Sequence, residues 1–281
     1  MITCHLMGGL GNQLFQIFTT IALAIENNVG YEFEYSLFLD KRHTYWDNFL
    51  IDIKKYTTVN NNIKYTIYPE SGNFRYNKIR FNDYIKLYGY FQCFKYFEDY
   101  KLQLFELINL NKQICDLKEE YKLYINNDNI TISMHFRIGD YINLPSYHPI
   151  QQIDYYIKAL KYMLSQDIIE NTNNKKIVVY YCCEHVNNDY VLINYINILK
   201  SIYSNYNITF IKIDDNIPDY KQLLLTSCCQ YNIIANSSFS WWGAYFNNYK
   251  HKIVVYPSNW FGPSLSHLDT VDLCPEYWVR I

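Results

Sequence analysis

Beyond residue 130 the apolar positions fall into short runs separated by longer amphipathic stretches. Ile130–Phe136, Ile177–Tyr181, Ile208–Ile213, Ile233–Ala235 and Ile253–Tyr256 read as strands, and residues 150–165, Val191–Ile202, Asp219–Cys228 and Ser238–Phe246 read as helices. Strands alternating with helices of about ten residues predict βαβ units, and so a parallel sheet. Ligands of such sheets bind beyond the carboxyl ends of the strands. Two polar segments occupy such ends: Arg137-Ile138-Gly139-Asp140 after the first strand and Asn236-Ser237-Ser238 after the fourth. Their common placement predicts one shared site.

The first half opens the same way. Ile2–Leu6 reads as a strand, Gly8-Gly9-Leu10-Gly11 as a turn, and Asn12 as the cap of a helix running to Glu26. Leu14, Phe18, Ile21, Ala22 and Ile25 form one apolar stripe along it. The glycines let the backbone approach a ligand at the helix start. With no third glycine at position 14, however, the loop is not a dinucleotide fingerprint. Residues 31–85 show no sustained period and predict short elements joined by loops. Leu87–Gln92 reads as a strand, followed by a Leu- and Glu-rich helix to about Asp116. Polar residues over Lys118–Asp128 mark a boundary, giving an N-terminal domain 1–122 and a C-terminal domain 123–281.

Composition narrows the function classes. The net charge is −2 and no basic block occurs, which argues against a nucleic-acid or membrane-surface partner. No apolar stretch reaches the ~20 residues of a spanning helix, and Met1-Ile2-Thr3-Cys4-His5-Leu6 running straight into the glycine loop predicts no signal peptide. Eight cysteines lack metal-ligand spacing and mostly sit in apolar runs, as buried thiols do. The expectation is a reduced, cytoplasmic protein. Five arginines stand against twenty lysines, so Arg137 draws interest as a place where the planar fork of arginine is needed.

Arg137 with Asp140 across a glycine turn suits a diphosphate held beside a hydroxyl that must lose its proton. A plain Arg–Asp surface pair is the simpler alternative for that segment alone, as a hydrogen-bonded core residue is for His135. Hydroxyls and free N–H groups at Asn236-Ser237-Ser238 make an anion site, with Asn236 or either serine as helix cap. Trp241 and Trp242 would cover the turn with apolar surface.

Four motifs occur in order: Gly8-Gly9-Leu10-Gly11-Asn12-Gln13-Leu14-Phe15-Gln16; Leu87-x-Gly89-Tyr90-Phe91-Gln92-x-x-Lys95-Tyr96-Phe97; His135-x-Arg137-x-Gly139-Asp140-Tyr141; and Asn232 to Tyr245 around Ser237-Ser238-Phe239. Together they resemble the α1,2-fucosyltransferases of glycosyltransferase family 11. The resemblance implies an α/β protein of GT-B type, with two Rossmann-like domains facing across a cleft and the donor held mainly by the C-terminal one. It implies inverting transfer of fucose from GDP-fucose to O2 of a galactose-containing glycan, without metal or other cofactor. Arg137 would stabilise departing GDP, and Ser237, Ser238 and Phe239 would line the nucleotide pocket with His135. Gly9, Gly11, Asn12 and Gln13 would face the donor from the other domain. Asp140 is the first candidate base and His148 the second, while Glu184, Asp214 or Asp215 could read the guanine edge. Two departures bear on donor and acceptor choice: Ile138 stands where the family has a second arginine, and Tyr181-Cys182-Cys183-Glu184 replaces its Phe-Ser-Asp-Asp strand end. A transferase for a different sugar and an inactive carbohydrate-binding relative remain the competing readings.

Overall fold

The computed structural model describes residues 1–59, 63–71, 74–124, 129–166, 175–184 and 190–281. The chain forms two compact units, Met1–Cys115 with Leu268–Glu276, and Asp116–His267 with Tyr277–Ile281.

The first unit is organised by a parallel sheet in which β1 (Ile2–Cys4) lies beside β7 (Ile85–Tyr88), itself flanked by β6 (Thr66–Pro69). Helix α1 (Leu10–Glu26) packs its predicted stripe, with Leu14, Phe18, Ile21 and Ala22 all fully buried. Its N-cap is Gly9 rather than Asn12, and no side chain caps it. Between β1 and β6 the chain makes two-residue strands, β2 (Phe33–Glu34) with β5 (Thr57–Thr58) and β3 (Phe38–Leu39) with β4 (Arg42–His43), followed in part by a 3-10 turn at Ile51–Tyr56. These pieces are too short for periodicity; buried Trp46, Phe49 and Leu50 anchor them.

The strand expected at Leu87–Gln92 begins two positions earlier and stops at Tyr88. Gly89 has φ +155° and Phe91 φ 51°, values that end extended pairing. The Tyr90 amide then donates to the Glu70 carboxylate at 2.7 Å. Helices α2 (Lys101–Leu107) and α3 (Leu110–Glu120) break the single helix expected there at Asn109, whose φ is 50°. Lys95 of the second motif holds the returning C-terminal segment through Asp272 at 2.6 Å, and Asp272 also accepts the Tyr76 amide at 2.8 Å.

The second unit is a six-stranded, all-parallel sheet: β10 (Ile208–Lys212), β9 (Ile177–Cys183), β8 (Ile130–Phe136), β11 (Tyr231–Ile233), β12 (Val254–Tyr256) and β13 (Val279–Arg280), in that spatial order. From β8 the chain runs outward through β9 and β10, then crosses back to β11 and continues through β12 and β13. That is the doubly wound order, with its switch point between β8 and β11. Helices α4 (Ile153–Leu164), α5 (Tyr190–Ile202), α6 (Asp219–Ser227) and α7 (Ser238–Phe246) lie among these strands in sequence. One face of β8, formed by Ile130, Ile132, Met134 and Phe136, packs in a core with Tyr156, Leu160 and Leu199.

Candidate active site

The alternate residues of β8 explain where the site begins. Thr131, Ser133 and His135 are buried polar groups on one face of a central strand, so each needs a partner. Thr131 exchanges hydrogen bonds with Gln230 at 3.0 and 3.1 Å. Ser133 Oγ accepts from Asn232 Nδ2 at 2.7 Å, and Asn232 is tied in turn to Asn247. His135 breaks the series, because its Nδ1 is buried with no partner. Its ring lies 5.4 Å from that of Phe239 in α7, and burial, aided by Arg137, lowers its pKa to about 3. The ring is neutral at physiological pH.

Beyond Phe136 the chain turns into a 3-10 segment, Gly139–Asn143. Arg137 emerges here with its side chain 17% exposed. Nη2 donates to Asp140 at 2.7 Å and Nη1 lies 2.9 Å from Glu184, while Nε is buried without a partner. The guanidinium sits 4.9 Å over the Tyr141 ring. That ring stacks on His148 at 5.0 Å, and His148 in turn contacts Phe261 at 5.7 Å. Burial lowers the His148 pKa, with Asp140 opposing the shift. Ile138 points into the core and is 1% exposed, so this position supplies no cation.

The Asn236-Ser237-Ser238 turn meets this cluster directly, since the Tyr141 hydroxyl donates to the Asn236 carbonyl at 3.1 Å. The N-cap of α7 is Ser237, one of the three residues expected there, but its side chain makes no capping hydrogen bond. Asn236 instead donates to the carbonyls of Pro149 and Trp260, both at 3.0 Å, pinning two loops around the site. The first-turn amides of a helix carry the partial positive charge of its dipole. Trp241 and Trp242 are both fully buried, with Trp241 stacked on Tyr245 at 4.7 Å.

Among the guanine-edge candidates, Glu184 is drawn onto Arg137, one strand away. Asp214 and Asp215 follow β10, two strands from β8. Asp215 pairs with Lys212 at 2.6 Å, and Asp214 accepts from the backbone and side chain of Asn216 at 2.9 Å. In the first unit, Gly8 has φ +79° and leaves no room for a Cβ beside Asn12. Asn12 accepts from Gln92 at 2.8 Å, and Gln13 donates to the carbonyls of Gly8 and His43. Gln16 binds both the amide and the carbonyl of Met7, so the glycine loop is held from within its own motif. Tyr141 is a site residue to which the sequence gives no role on its own, although its place about one helical turn after Arg137 is the signal for it. Among the described residues no cluster of three or more His, Cys, Asp or Glu is arranged to hold a metal ion, and no helix is long and apolar enough to cross a membrane.

A doubly wound sheet with an arginine and a helix start at its switch point fits the GT-B glycosyltransferases. Across 98% of this chain and 74% of the other, the fold is similar to that of an Arabidopsis thaliana FUT1 mutant in complex with GDP, with a TM-score of 0.52 at 12% identity. The model for glycosyl transferase family 11 matches residues 1–266, and the chain belongs to that family. An alpha-1,2-colitosyltransferase of Escherichia coli is 28% identical over 100% of this chain and 99% of that protein. The O-antigen biosynthesis glycosyltransferase WbnK, also of Escherichia coli, is 30% identical over 66% of this chain and 58% of that protein, so this match spans less than two thirds of its length.

Proposed function

We propose that the protein transfers fucose from GDP-fucose to O2 of a terminal galactoside, forming an α1,2 linkage with inversion. The acceptor O2 attacks C1 of the sugar as the bond from C1 to the phosphate oxygen breaks, and the electron pair leaves on GDP. Arg137 and the first turn of α7 neutralise the charge gained by the departing diphosphate. The neutral His135 ring supplies a further polar contact, and Asp140 takes the proton from O2, with His148 as the alternative base.

The observation that carries this reading is the meeting of Arg137 with the Asn236 turn through Tyr141, at the switch point of the sheet. Titration with GDP in a chelating buffer, followed by product linkage analysis with GDP-fucose, tests it. Micromolar binding and an α1,2-linked product support the proposal, whereas absence of GDP binding removes it. The colitosyltransferase relative supports a second reading in which the donor sugar is colitose; a paired donor assay separates the two.

A further inference from the structure

Arg137 has two carboxylate partners in different settings, and we infer that they do different work: Glu184 is the positioning residue that aims the guanidinium, and Asp140 is the partner that a donor diphosphate displaces. The assignment rests on Arg137 being the diphosphate ligand proposed above.

Three observations separate the two carboxylates. Asp140 belongs to the same turn as Arg137, three residues on, and its side chain is 45% exposed, whereas that of Glu184 is 26% exposed. Glu184 comes from the end of the neighbouring strand β9. It also packs against the turn itself, since a Cβ placed on Gly139 would collide with its carboxylate. The turn is thus shaped around Glu184 and leaves Asp140 at its rim.

The charges then decide which partner moves. One guanidinium between two carboxylates carries a net charge of −1, which repels an incoming diphosphate until one carboxylate withdraws. Asp140 can withdraw into water at little cost, as exposed ion pairs do. Withdrawal of Glu184 would strip Arg137 of its partner on the neighbouring strand and leave a buried carboxylate oxygen without its counter-charge. Exchange at Asp140 has a second consequence, because the carboxylate that leaves Arg137 can accept the proton of the acceptor hydroxyl. Donor binding thereby makes the base available, and the donor is expected to bind first.

The test is GDP titration and single-turnover transfer for the wild type, Asp140→Asn, Glu184→Gln, Glu184→Asp and Gly139→Ala, with melting temperatures recorded for each. Asp140→Asn is expected to bind GDP about two- to fivefold more tightly, the scale of an exposed ion pair, while losing transfer by on the order of a hundredfold. Glu184→Gln is expected to bind GDP more weakly and to lose transfer by on the order of a hundredfold through misplacement of Arg137. Glu184→Asp should recover part of both losses. Gly139→Ala, which removes no charge, should reproduce the Glu184→Gln phenotype and covers the case in which that variant does not fold. GDP affinity unchanged in Glu184→Gln or Gly139→Ala, or weakened in Asp140→Asn, overturns the assignment. A wild type that does not bind GDP instead removes the donor reading beneath it.

Discussion

The hydroxyl of Tyr141 donates to the main-chain carbonyl of Asn236 at 3.1 Å, joining the turn after β8 to the turn before α7. The same ring supports the Arg137 guanidinium from below, so one side chain couples the cation to the helix start. Replacing Tyr141 by Phe keeps the ring under Arg137 and removes only the tether. Loss of this half-buried hydrogen bond between the two turns that hold the donor should cost about 1 kcal/mol, seen as roughly fivefold weaker GDP binding by calorimetry. Tyr141→Ala, which also removes the cation–π contact, should weaken binding further.

Asn236 illustrates how a polar motif residue can serve the scaffold. Its amide donates to Pro149 and Trp260, and it is 1% exposed. Asn236→Ala leaves two carbonyls without their donor and should lower the unfolding free energy by about 1–3 kcal/mol. Urea denaturation measures this, and a variant as stable as wild type would show that neither bond contributes.

Acid stability should carry the signature of His135. The residue is buried and neutral, with a folded pKa of about 3 against an ordinary value near 6.5. Below pH 6.5 the unfolded chain takes up a proton that the folded chain refuses. Stability is therefore complete above that pH and declines as the pH falls toward 3. From pH 7 to pH 5 this single group should remove about 2 kcal/mol. The pH dependence of urea unfolding should flatten correspondingly in His135→Gln; an unchanged slope across that window would mean that the histidine is solvated.

Legibility in the sequence followed the strength of local punctuation. Ile130–Phe136 and Ser238–Phe246 form where their pattern placed them, because each is bounded by a turn and filled with residues suited to its period. Leu87–Gln92 misled because two positive-φ positions, Gly89 and Phe91, end a stretch whose composition suits a strand. The fourth strand of the second unit was read two residues late, since Ile234 and Ala235 are as apolar as the strand itself but lie beyond it. Return of Leu268–Glu276 to the first unit was invisible, because it depends on Lys95 and Arg75 meeting Asp272 and Asp269 across a long separation in sequence. In the site, Arg137 and Asp140 were legible as a local pair. The approach of Glu184 was not, as it follows from strand order and a missing Cβ at Gly139.

The most direct test of the central claim is single-turnover transfer from GDP-fucose by wild type and Arg137→Lys, with folding of both checked by their melting curves. Lysine keeps the charge but not the two-pronged geometry. If Arg137 stabilises the departing diphosphate, transfer should fall by about a hundredfold or more with little change in melting temperature. Equal turnover in the two proteins would contradict the account and remove Arg137 from the reaction.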